Sequence, residues 1–87
     1  MTYAGRTGQA MTWREMYLLA VLNADATERL AEHGRKVARE SGISALQRDI
    51  AEQLVDTYSL CRMLDQHALP VPDEVERDIK EYLRQAT

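Results

Sequence analysis

From Met1 to Leu69 the chain contains no proline, and then Leu69-Pro70-Val71-Pro72 holds both of the prolines it has. Proline lacks a backbone donor, and it pushes the residue before it out of helical geometry. Helix is therefore open to everything upstream and closed across 69–72. Glycine is the other strong interruption. Two of the four glycines fall in the first eight residues, which leaves only Gly34 and Gly42 in the body of the chain. Gly42 follows Arg35, Lys36 and Arg39, cations that suit the negative end of a helix dipole. It also supplies the left-handed residue on which helices end. The pattern predicts a helix over about 13–40, a second over about 45–68 and a short third over about 74–85.

Three sequence signals mark the helix starts. Thr12-Trp13-Arg14-Glu15, Ser44-Ala45-Leu46-Gln47 and Asp73-Glu74-Val75-Glu76 all have the spacing of a capping box, in which two side chains satisfy each other's free amides. Within the second helix Ile50, Leu54, Thr57, Cys61, Leu64 and Ala68 recur at steps of four and three, with Leu46 extending the seam. The third helix carries Val75, Ile79, Tyr82 and Leu83 on one side. Two long helices joined by a short glycine turn must fold back on each other. The expected fold is thus all-α: an antiparallel hairpin of two long helices closed by a short C-terminal one. Residues 1–11 read as a flexible arm and 12–87 as one helical domain.

The first helix has more apolar surface than this fold can hide. Trp13, Met16, Ala20, Ala24, Leu30, Ala31, Val37 and Ala38 form one broad stripe at 100° per residue. Leu18, Val21 and Leu22 point away from it, toward the side that bears Asp25, and with Tyr17 they make up a surplus patch. A helix that is apolar all round is buried all round, and an 87-residue chain cannot surround it. The surplus is expected either to be covered by the third helix and the arm or, preferentially, to form an interface with a second copy or another protein. Asn23 and Thr27 interrupt the stripe. The simplest expectation is a local bond from the Thr27 hydroxyl to the Asn23 carbonyl.

Signals for chemistry are weak. His33 and His67 lie far apart and have no ligand spacing around them. Cys61, Asp65 and His67 point in different directions at helical spacing, so no metal site is expected. The lone cysteine has no basic neighbour at helical spacing to activate it, and it reads as a small buried hydrophobe. No disulfide can form within the chain, which suits a reducing compartment such as the cytoplasm. The longest apolar run, Met16 to Leu22, is far short of the ~20 residues of a membrane span. The run resembles a secretory core, but Glu15 abuts it. No cofactor, catalytic residue or membrane partner is expected.

The net charge of −3 gives no general attraction to nucleic acid. One local pattern points the other way. Val37, Ala38, Gly42, Ile43 and Ser44 fit the first half of a helix-turn-helix, which would place Gln47 and Arg48 against DNA in a reader built from residues 37–51. The second half fits poorly, because Asp49, Glu52 and Asp56 would repel phosphates. The leading expectation is a small, non-enzymatic protein-binding module: an adaptor, regulator or inhibitor that acts as a homodimer and binds a further protein. It would act through Tyr17, Leu18, Val21, Leu22 and Asp25. An acidic face (Asp49, Glu52, Asp56, Asp73, Glu74, Asp78) is a weaker second candidate surface. A DNA-binding regulator is the alternative.

Overall fold

The computed structural model describes residues 11–86. Among them every regular element is an α-helix: α1 (Trp13–Ala20), α2 (Ala24–Glu40), α3 (Ser44–Gln53), α4 (Thr57–Gln66) and α5 (Asp73–Ala86). No described helix is long and apolar enough to cross a membrane. Of the arm expected over residues 1–11, only Met11 lies within the described residues, where it packs half-buried against the core.

The all-helical expectation holds, but each of the two expected long helices is broken. The first breaks at Val21-Leu22-Asn23. There the Asn23 backbone is extended (φ −126°, ψ 114°), and its side-chain oxygen accepts from the Ala26 amide, so Asn23 caps a new helix. The Thr27 hydroxyl bonds back to the Asn23 carbonyl at 3.0 Å, as expected, and also to the Ala20 carbonyl at 2.8 Å. It therefore ties the two halves together. The break also shifts the buried phase. Ala24, in the stripe of a continuous helix, is exposed, while Ala26, outside that stripe, is buried.

The second long helix breaks at Leu54-Val55-Asp56. Leu54 takes the left-handed conformation (φ 48°, ψ 50°) that usually falls to glycine or asparagine. Asp56 then caps α4 by accepting from the Ser59 amide at 2.8 Å, a bond that holds its carboxyl below the ordinary range. The expected heptad seam therefore does not run through. Leu60, Cys61 and Leu64 are buried, whereas Leu54 and Ala68 are exposed.

α4 is the central element, packed against both α1 and α2. Its closest approach to α2 is at Gly34. A Cβ placed there would stand 3.0 Å from Leu60 Cδ2 and 3.1 Å from Leu64 Cδ1. A glycine that looked like a weak point in a helix is instead where two helices meet. α5 lies mainly on α2, through Val75 and Ile79, and Val71 is buried between the two prolines. α3 adds little more than Leu46 to the core.

Candidate functional site

The first turn of α1 is fully satisfied. Thr12 and Glu15 form the expected capping box, at 3.0 and 2.8 Å. The next two amides are capped from the far side of the sequence. Trp13 N donates to Asp65 Oδ1 at 2.9 Å and Arg14 N to Asp65 Oδ2 at 3.0 Å. All four orphan donors that a helix start leaves have partners. The Trp13 indole is wholly buried, and its Nε1 donates to the Leu69 carbonyl at 3.1 Å. That carbonyl is fixed by the end of α4. Leu69 N reaches Leu64 O and Ala68 N reaches Asp65 O, with Ala68 left-handed (φ 58°). This is the two-bond arrangement of a Schellman stop.

The other end of the same helix pair is open. α1 and α4 run antiparallel, for Trp13 meets Asp65 while Tyr17 packs on Tyr58, with ring centroids 5.4 Å apart. Beyond that aromatic contact the expected interface residues lie on the surface. Leu18 is 60% exposed and Leu22 96%, with Val21 and the neighbouring Leu19 also exposed. Tyr17 is half-buried under Tyr58, and Asp25 is exposed in the first turn of α2. The structure adds two residues that the sequence pattern did not single out. Leu54, just before α4 at this same end, is 90% exposed, and Tyr58 is exposed beneath the Arg62 guanidinium. Leu54 escaped notice because a continuous heptad placed it inside.

The acidic residues do not form one face. Asp56 is the cap of α4, and Asp73 and Glu74 lie in the first turn of α5. Asp49 shares a cleft with Arg62 of α4 and with His67 just beyond it, and Glu52 is exposed on α3. Asp78 is consumed internally. Arg29 grips it through Nε and Nη2 at 2.8 and 3.0 Å, and His33 Nε2 lies 2.7 Å away. Hydrogen bonds from Arg29 and then His33 hold the Asp78 carboxyl down at about 2. The same guanidinium lies 5.0 Å over the Tyr82 ring. Arg29 thus joins α2 to α5 rather than pairing with Asp25 along its own helix.

Two of the expected capping boxes are not formed. Ser44 begins α3 rather than capping it, and no side chain caps that helix. Gln47 instead turns its amide back to the Ala38 and Arg39 carbonyls at the end of α2, at 3.2 and 3.0 Å. α5 likewise starts at Asp73 itself, over the Pro72 carbonyl.

Cys61 is buried, and desolvation, with a smaller push from Asp65, raises its thiol to about 12. Among the described residues no charged side chain is buried, and no three His, Cys, Asp or Glu side chains gather as a metal-binding group. Among the described residues the exposed large apolar side chains gather around the end of α1 and the start of α4. Comparison leaves it to speak for itself. No family model, curated protein or solved structure matches the chain.

Proposed function

We infer that the protein is a small non-enzymatic binding module that docks through the apolar end of α1 and α4, first of all with a second copy of itself. The observation that carries this reading is the exposure of Leu22 and Leu54, at 96% and 90%, where Tyr17 and Tyr58 pack together. Large apolar side chains gathered at one end of a small domain mark an interaction surface. A chain of this length gains much of its stability margin by associating, and each leucine moved out of water contributes about 2 kcal/mol. In such a pairing Tyr17, Leu18, Val21 and Leu22 supply the contact, and Asp25 lies at its polar rim. The module would serve as an adaptor, regulator or inhibitor, and its single buried thiol suits the cytoplasm.

A DNA-reading role for residues 37–51 gains less support. Gln47, one of its two reading residues, spends its amide on the backbone of α2. Arg48 remains exposed beside Asp49.

Light scattering at micromolar concentration tests the docking reading. The native chain is expected to be a dimer, and Leu22→Glu with Leu54→Glu to make it a monomer of unchanged helix content. A native chain that is monomeric, or a double variant that stays dimeric, overturns the proposal.

A further inference from the structure

A second surface, on α2 and α3, has a different chemistry. Between the last turns of α2 and one side of α3 lies a groove of about 140 Å³, lined by Arg35, Ala38, Arg39, Gln47, Ile50 and Ala51. Ala38, Ile50 and Ala51 make its floor apolar. The Gln47 bonds to the two carbonyls of α2 hold its walls together. Arg35 and Arg39 stand on one wall. Neither forms an ion pair or side-chain hydrogen bond among the described residues, a property they share with Lys36, Arg48 and Arg77; what sets the two apart is the apolar floor beside them.

We propose that this groove binds an acidic amphipathic helix of a partner protein. An apolar side chain enters the floor, and two carboxylates one helical turn apart pair with Arg35 and Arg39. The spacing argues for it. Arg35 and Arg39 are four residues apart on α2, hence about 6 Å along the axis, which is the separation of glutamates at i and i+4 on a facing helix. The volume admits one aliphatic side chain of leucine size rather than a small-molecule ligand, whose pockets run to ~300 Å³ and above. Charge complementarity fixes the sign. The chain is acidic overall, at −3, so two unneutralised arginines beside an apolar floor select an anionic apolar partner against the rest of the surface.

Nucleic acid is the competing anion, and the same groove disfavours it. An apolar floor gives a phosphate nothing, whereas it takes up the apolar side of an amphipathic helix. The groove shares no lining residue with the α1/α4 end, so the proposal stands apart from the docking reading above.

Fluorescence anisotropy on the full chain tests it with three labelled probes. The first is a helix-forming peptide of about 15 residues with leucines at three- and four-residue steps flanked by glutamates. The second has the same leucines flanked by lysines, and the third is a short DNA duplex. The glutamate peptide is expected to bind at least tenfold more tightly than either of the others and to weaken as salt rises. Arg35→Glu with Arg39→Glu is expected to lower that affinity at least tenfold. Ala51→Leu, which fills the groove from an exposed position without touching the core, is expected to do the same at unchanged melting temperature. Equal binding of the two peptides, preference for the duplex, no binding of the glutamate peptide, or indifference to both the charge reversal and the filled groove would each overturn the proposal.

Discussion

The two ends of the α1/α4 pair are made from the same two helices and finished in opposite ways. At the Trp13 end every amide of the first turn has a partner, the indole is sealed in, and the last turn of α4 is closed by a stop that also holds the indole nitrogen. At the Leu22 end an aromatic pair closes the core, and then four aliphatic side chains of α1 and its exit, joined by Leu54, face outward. Helix propensity does not explain the contrast, since both ends are rich in good helix formers. The difference is in what crosses between helices. One end is bound by polar contacts spanning more than fifty residues of sequence, and the other has apolar surface without a cover. Polar closure is concentrated at the first end and exposed apolar surface at the second.

The sharpest way to break this comparison is to remove the anchor. Trp13→Ala deletes a fully buried ring and its bond to Leu69, and is expected to cost about 3–5 kcal/mol. That is comparable with the whole margin of a domain this size. Urea unfolding followed by circular dichroism reads it, and a cost below about 1 kcal/mol would show that the sealed end does not hold the fold. Asp65→Ala uncovers two amides at the start of α1 and is expected to cost about 1–2 kcal/mol, with the loss of helix concentrated in α1 by hydrogen exchange. An effect no larger than that of an exposed substitution elsewhere would remove the polar seal from the account.

Asp78→Asn probes a joint that belongs to neither end. Its carboxyl is held below the ordinary value by Arg29 and His33. Its contribution is therefore fully present above about pH 4, where the unfolded carboxyl is ionised, and is lost as pH falls toward 2. Solvent reaches both partners, with side-chain exposures of 45% and 31%, so screening leaves about 1 kcal/mol. Melting temperatures of the native and Asp78→Asn chains should differ at neutral pH and converge in acid. A difference undiminished between neutral pH and pH 2 would assign the effect to packing.

Much of this was legible in the residues. The Thr12–Glu15 box, the stop at Gly42, the proline break, the surplus of apolar residues on α1 and the inert character of Cys61 all follow from local rules. The two helix breaks did not show, although Asn23 and Asp56 are good capping residues. Val21-Leu22 and Leu54-Val55 contain neither proline nor glycine, so a wheel drawn through them continues undisturbed. Tertiary packing overrides the local pattern, as both α1 and α2 pack on α4. A left-handed leucine is a conformation that local preference assigns to other residues. Asp78 and Gln47 were misplaced for a related reason. Their partners lie on other helices, at separations that no period can announce. The candidate site was half legible: α1 contributed its residues by pattern, whereas Leu54 and Tyr58 joined them only through the antiparallel pairing.

The single tryptophan of the chain stands at the sealed end, dry and bonded through its ring nitrogen, while the tyrosine pair stands near the open one. The molecule therefore carries its own optical label for the sealed end. Indole emission, excited above the tyrosine band, will follow the loosening of the α1 start. Unfolding of that end can thus be watched without a dye or a tag.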